Sequence, residues 1–371
     1  MSSSTLSNSV EARAARGLLY TKMKVFHYKE KIDSLPREVD DILAPIHIRI
    51  KPTNACCHSC TYCAYRCEDL QLGKDMVVRD SIPQAKMMEI LEDIIEMGVK
   101  AVTFSGGGEP FCYTYLFDAI RRLAQSPVKF AALTNGALVK GEIAEFFAHH
   151  GTWLRVSMDG WDGASYAEYR SVGGDEFEKV ITNIREFKRF GGSCLLGVSI
   201  IVDRRNALHI FDLIGLLRDI GADSVKVSPC IVSNSGAANN EYHRDFFQVA
   251  REQIARAESE IASNDFEIFD AYHEQLETFE KPYPWCPYLQ MLPVIGADMN
   301  IYPCQDKAYN LDGGLIGSIA GRSFKEFWFS DKSKFFRIDP SVNCNHHCVA
   351  DAKNRRVFEY LNADPEHLGF V

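Results

Sequence analysis

The sequence has no uncharged apolar run approaching the roughly 18 to 20 residues of a membrane span, so no transmembrane helix is expected. Its opening stretch, MSSSTLSNSVEARAARGLLY, is polar and lacks the apolar centre of a signal peptide. Positive charge is not in excess: 41 Lys and Arg stand against 50 Asp and Glu, a formal net charge of −9. Nucleic-acid surfaces need clustered Lys and Arg, and neither a basic stripe nor an interleaved aromatic run is present, so no nucleic-acid partner is expected. Internal repeats and low-complexity tracts are also missing. What remains is a globular composition, 46% hydrophobic and 25% charged over 371 residues, enough for one large domain or a domain with a smaller companion.

Cysteine, by contrast, is abundant, with twelve residues. Without a signal peptide or a membrane span the chain is expected in the cytoplasm, where thiols stay reduced. Clustered cysteines there point to metal or redox chemistry rather than to disulfides. Cys112 and Cys194 stand alone and read as inert packed thiols. Five others crowd into NACCHSCTYCAYRC (54–67), and four more, Cys286, Cys304, Cys344 and Cys348, follow late in the chain.

From residue 46 short apolar runs alternate with helical patterns. IHIRI (46–50), AVTF (101–104), LLGVSIIVD (195–203) and SVKVSPC (224–230) read as strands, and VKFAALTNG (128–136) and TWLRVSMDG (152–160) as a strand followed by a turn. The stretch 81–100 reads as a helix with Ser81 as N-cap, Pro83 in its first turn and Met87, Ile90, Leu91 and Ile94 on one face. Six strands joined by helices imply a parallel sheet with right-handed crossovers, an α/β fold of the partial (β/α)6 TIM-like barrel kind. Ligands in such folds sit at the carboxyl ends of the strands. Those ends carry KPTNACC, SGGGEP, TNG, SMDG, VD and SPC. The expected organisation is a partly helical leader (1–44), the partial barrel (45–236), a helical and strand connection in which a long amphipathic helix near 241–263 leads to FEIFDAY (237–281), and a small C-terminal segment (282–371).

Three close cysteines on a loop after a strand can supply three of the four ligands of a [4Fe–4S] cluster, leaving one iron open. Of the five in the first group, only Cys56, Cys60 and Cys63 fit the spacing C-x3-C-x2-C, since other starting points require ligands at Thr61, Ala64 or Leu70. The residue before the last cysteine, Tyr62, is aromatic. A zinc site is the alternative, although zinc sets usually pair two CxxC-like elements.

With these motifs in place, residues 45 to 230 resemble the radical S-adenosylmethionine (SAM) superfamily, whose signature is C-x3-C-x-aromatic-C after the first strand of a partial barrel. SGGGEP (105–110) resembles that family's GGE-type motif, and SMDG (157–160) follows the fourth strand. The resemblance implies a cluster on Cys56, Cys60 and Cys63 whose open iron is chelated by SAM, and reductive cleavage of SAM to a 5′-deoxyadenosyl radical that abstracts hydrogen from substrate. It further implies Glu109 accepting from the SAM amino group, Gly106, Gly107 and Gly108 letting backbone approach the methionyl part, Tyr62 near the adenine, Ser157 on ribose or carboxylate, and Arg170 on a carboxylate. A solvated helix-end Arg and a plain turn Asp are the alternative readings of Arg170 and Asp159.

The second group, spaced C-x17-C and then C-x3-C, resembles the SPASM and twitch domains that carry auxiliary iron–sulfur clusters. A full SPASM domain uses about seven cysteines. Four suit the twitch form, with one auxiliary [4Fe–4S] cluster on Cys286, Cys304, Cys344 and Cys348. Zinc is again the alternative, and His346 and His347 read as replacement ligands or as solvated loop residues. Cys230, ending the sixth strand, or Cys67 is a candidate hydrogen-atom donor. Asp306 and Lys307 are candidate acid or base groups, and Asp203 stands similarly. A fully ligated auxiliary cluster suits electron relay, so the expected enzyme is an oxidoreductase acting on a small polar molecule such as a sugar, nucleotide sugar or aminocyclitol. Flavodoxin or ferredoxin is the expected reductant. Peptide maturation is the alternative, weighed down because the forty-odd residues before the first strand look short for a leader-binding domain. Epimerisation or decarboxylation, and a non-catalytic iron–sulfur or zinc sensor, are the others.

Overall fold

Alternation in β1 (His47–Ile50) buries Ile48 and Ile50 fully and turns His47 and Arg49 the other way. In the computed structural model, which describes residues 19–370, this strand lies inside a sheet of ten. Most of the polar opening stretch (1–18) and Val371 lie outside the described residues. The strands β2 (Ala101–Phe104), β3 (Lys129–Thr134), β4 (Trp153–Ser157), β5 (Leu195–Val202) and β6 (Ser224–Pro229) follow in chain order, each parallel to its predecessor. The six expected strands are therefore present within a residue or two of their expected ends.

A seventh parallel strand, β7 (Glu267–Asp270), pairs with β6, so the sheet runs on past residue 236 into the expected connection. On the far side of β1, β8 (Val294–Ile295) pairs in parallel, and β9 (Asn300–Tyr302) and β10 (Gly317–Ser318) complete an antiparallel edge. The segment after 282 thus extends the same sheet, and its Ile301, Phe327 and Trp328 belong to the same core as Ile48 and Val102. The sheet edges, β7 and β10, are not joined, which leaves the barrel open.

The crossovers explain which strand face is the lumen. In α1 (Gln84–Glu96) Met87, Ile90, Leu91 and Ile94 are buried against the sheet. Pro83 occupies the capping position expected of Ser81, which instead bridges to Thr53. Leu154 and Val156 of β4 and Val225 and Val227 of β6 pack into this helix-facing core. Arg155, Ser157 and Lys226 alternate with them and so face the lumen. Between β4 and β5 run two helices, α2 (Gly163–Arg170) and α3 (Glu176–Arg189). The long helix spans Gly236–Glu260, capped by Ser235, and begins some residues before its expected start.

Candidate active site

The loop after β1 carries the first cysteines and is held by its neighbours on both sides. Gly108 N donates to Thr53 O at 3.2 Å and Glu109 N to Ala55 O at 2.8 Å, joining it to the glycine loop after β2. On the other side Ser59 N and Thr61 N donate to the carbonyls of Arg170 and Tyr169 at the end of α2, at 3.1 and 3.0 Å. These contacts also give the glycines a packing role within the protein. A Cβ on Gly107 would stand 2.2 Å from Asn54 Oδ1, and one on Gly108 2.0 Å from Ala55 O. The glycines serve close approach of two backbone segments within the protein.

Glu109 is buried and accepts from Phe111 N (3.0 Å), the Thr134 hydroxyl (2.7 Å) and Asn135 N (2.7 Å). Burial pushes its carboxyl up, and these donors pull it back. A carboxylate has about four acceptor positions, so room for one more donor remains. Among the described residues no cation pairs with it. The TNG turn after β3 therefore supplies part of the site through Thr134 and Asn135, and Asn135 Nδ2 also reaches Cys57 Sγ at 3.2 Å. Close by, the buried Ser105 hydroxyl has no partner.

Asp159, expected to be a weak candidate, is fully buried at the centre of a network. Arg170 Nη2 donates to its Oδ2 at 2.6 Å, the Tyr62 hydroxyl donates to the same oxygen, and Ile201 N donates to Oδ1 at 2.6 Å. Burial raises its carboxyl, against the pull of Arg170 and Tyr62. Arg170 is neither solvated nor free: its guanidinium lies 5.5 Å from the Tyr62 ring centre, and Nη1 reaches Cys60 Sγ at 3.5 Å. Tyr62 is thereby tied to the β4 turn. The Ser157 side chain is half-buried at the end of β4.

Cys56, Cys60 and Cys63 are half-buried and electrostatically coupled in sequence, Cys60 raising both neighbours. Burial pushes the Cys56 thiol up to about 11. Cys57 shares a hydrogen bond with Cys112, which is therefore not an isolated thiol. The second set also converges: Cys286, Cys344 and Cys348 all act on the half-buried Cys304 thiol, which loss of solvation holds well above its ordinary value. Asn354 Nδ2 donates to Cys286 Sγ at 3.3 Å and Ala350 N to Cys348 Sγ at 3.4 Å. Among the described residues no group of three or more His, Cys, Asp or Glu is arranged to hold a single metal ion.

The two sets face each other across Lys51 and Tyr65, each of which feels both Cys63 and Cys304. Lys51, buried just after β1, donates to Gly106 O at 2.7 Å and to the Tyr65 hydroxyl. Asp306 sits among Arg49, Lys281, Lys51 and Lys307, and burial raises its carboxyl. Lys307 is buried and donates to Asn343 O at 2.9 Å, next to Cys344 in the chain. His346 and His347 are buried rather than solvated, bonded to Gln71 at 3.3 Å and Asn240 at 2.9 Å. Cys230 is buried beyond β6, and burial first, then Asp203, pushes its thiol up to about 12. Asp203 itself is taken by Arg205 and the Tyr169 hydroxyl. Cys67 is exposed.

At the opposite, N-terminal mouth of the strands a cavity of about 1180 Å³ opens and runs inward past Arg155 and Lys226, with Cys348 in its wall. No helix among the described residues is long and apolar enough to cross a membrane.

A serine-type anaerobic sulfatase-maturating enzyme of Bacteroides thetaiotaomicron is 24% identical over 202 residues, 50% of this chain and 47% of that protein. The chain thus spans about half the length of the curated relative it matches. Among solved structures, SuiB of Streptococcus suis bound to precursor peptide SuiA aligns with a TM-score of 0.60 at 17% identity, over 85% of this chain and 71% of that one. A histidine-tagged anSMEcpe with bound AdoMet aligns with a TM-score of 0.59 at 16% identity, over 85% and 93%. At these identities the structures establish a shared fold. The model of the Radical SAM superfamily matches residues 50–217, from the last residue of β1 into the helix after β5. That range takes in the cysteine loop, the glycine loop and the turns after β3, β4 and β5, and over it the chain matches the radical SAM superfamily, whose members use a [4Fe–4S] cluster and SAM.

Proposed function

We propose that this chain is a radical SAM enzyme that modifies a side chain of a peptide or protein, by abstracting hydrogen from a substrate seated in the lumen. The carrying observation is the cavity: at about 1180 Å³ it exceeds the roughly 300–1,000 Å³ of small-molecule sites, and it extends to Cys348. The curated relative, a sulfatase-maturating enzyme, and the SuiB complex with its precursor peptide favour the same substrate class. They move the reading from the small sugar expected of the sequence to its peptide alternative.

The residues fit the cofactors. Cys56, Cys60 and Cys63 would hold the first cluster, and Cys286, Cys304, Cys344 and Cys348 the auxiliary one. Thiols pushed up by burial and by one another need metal to become thiolates. When bound, the clusters and SAM supply single electrons and a carbon-centred radical able to take a hydrogen atom. Glu109, buried with an acceptor position to spare, would bind an ammonium group and orient it. Asp306, facing four cations yet raised by burial, would accept a proton from substrate at its carboxylate. Cys230 keeps its proton at neutral pH, as a hydrogen-atom donor must.

Reduced holoenzyme given a pool of uniformly deuterated synthetic peptides is expected to transfer deuterium into 5′-deoxyadenosine, read by mass spectrometry. Transfer from deuterated nucleotide sugars alone would return the substrate to the small polar class. Cys304→Ala is expected to lower iron by about four atoms per chain and to stop substrate turnover while some uncoupled SAM cleavage persists. Unchanged iron content would refute the auxiliary assignment.

A further inference from the structure

The wall of the lumen cavity holds eight Lys and Arg residues and only two acids, in a chain whose formal charge is −9. Both acids are already neutralised: Glu274 pairs with Lys22 at 2.8 Å, and Asp351 with Arg355 at 2.9 Å and with the Tyr283 hydroxyl at 2.6 Å. Deeper in, Arg155 has no carboxylate partner among the described residues. Its Nη2 donates to the neutral Tyr20 hydroxyl at 2.6 Å, and its buried Nε has no acceptor. Its register partner on β5 is Gly197.

Lys226 on β6 faces the same lumen without an ion-pair partner among the described residues. Burial, with Arg155, Lys353 and Arg49 around it, brings its ammonium down to about 8 against the opposing pull of Glu274. Lys353, from the last helix, lies over the Tyr288 ring at 5.1 Å and likewise has no carboxylate among the described residues. Gathering half-buried cations with few acids among them is costly, and a ligand of opposite sign removes that cost on binding. The hydrogen-bonding needs agree, because a guanidinium with a free Nε–H suits a planar or tetrahedral oxyanion.

We infer that the substrate presents an anionic group, a carboxylate or a phosphate, to Arg155, Lys226 and Lys353 in this cavity. The inference rests on the reading of the cavity as the substrate site, and it adds a charge requirement to that reading. A peptide meets the requirement with Asp or Glu near the reacting residue. A nucleoside diphosphate group meets it with phosphate.

The test uses anaerobically reconstituted full chain with SAM bound, and isothermal titration with four probes: an acetylated octapeptide alternating Glu and Gly, its Gln twin, uridine diphosphate, and uridine. At least one anionic probe is expected to bind about tenfold more tightly than its neutral twin, with the preference fading as salt rises. Arg155→Gln and Lys226→Gln should each lose the preference, and Arg155→Lys should keep most of it, which separates charge from packing. Preference in the peptide arm supports both the inference and the peptide reading. Preference confined to uridine diphosphate supports the inference and overturns the peptide reading. Equal binding of anionic and neutral twins in both arms, or a preference untouched by salt and by Arg155→Gln, overturns the inference.

Discussion

Cys60→Ala is expected to abolish SAM cleavage by the dithionite-reduced protein and to lower iron by about four atoms per chain. The chain offers the first cluster three thiolates, and two cannot hold it with an iron left open. Cys60 is the central member of the triplet, the one that acts on both Cys56 and Cys63 and the one that Arg170 Nη1 approaches at 3.5 Å. Its loss therefore removes a ligand and the acceptor of a buried guanidinium together. Cys57→Ala provides the contrast. Cys57 is exposed, bonded to Asn135 and Cys112, and outside the spacing register, so its variant should retain iron and cleavage within about twofold. The measurements are 5′-deoxyadenosine by chromatography and iron by colorimetry on anaerobically reconstituted protein. Wild-type cleavage in Cys60→Ala, or loss of the cluster in Cys57→Ala, would show that the register is wrong.

The contrast between these neighbours is legible in the sequence, because ligand spacing is local and β1, the loop and α1 follow one another along the chain. The strands of the partial barrel are legible for the same reason: each is a short apolar run bounded by glycine or a turn residue. What stays hidden is what depends on partners far apart in sequence. β8, at two residues, is too short for periodicity, and only pairing with β6 and β1 tells where β7 and β8 stand in the sheet. Asp159 looks like any Asp before a turn glycine, since its partners lie 97, 11 and 42 positions away. The glycines are close-approach positions, as their run suggests, and the cysteine loop is one group that approaches them. Lys51 gives no signal beyond its place after β1, although it ties Tyr65 to the glycine loop between the two cysteine sets. The lumen charge is equally hidden. Arg155 and Lys226 sit in separate strands, and a net charge of −9 over the whole chain masks a local excess of the other sign.

Asp159→Ala should be the most damaging single change that touches no proposed ligand. Asp159 is fully buried, and its side chain serves three donors: the Arg170 guanidinium at 2.6 Å, the Tyr62 hydroxyl and Ile201 N–H at 2.6 Å. Removing one partner of a buried ion pair costs about 3–5 kcal/mol, because the remaining charge is left in a low-dielectric site. Orphaning a hydroxyl and an N–H adds about 1–3 kcal/mol each where water cannot reach them. Arg170 has nowhere to turn: its Nε is already buried without an acceptor, and its other near neighbours are the Tyr62 and Tyr166 rings and the Cys60 thiol. The damage should therefore pass into the cysteine loop, whose Ser59 and Thr61 hang on the carbonyls of Arg170 and Tyr169. Asp159→Asn keeps one acceptor oxygen, enough for Ile201 N or for Arg170 and Tyr62 but not for both sides, and loses the charge, so it should fall between wild type and alanine. Urea unfolding under anaerobic conditions, with iron content and 5′-deoxyadenosine formation measured in parallel, checks the order. The expected result is a loss of at least about 3 kcal/mol for alanine, with iron at the first site falling with it. A variant within about 1 kcal/mol of wild type that still fills both cluster sites would mean that Arg170 finds its counter-charge elsewhere, and that the loop is held by its backbone contacts alone.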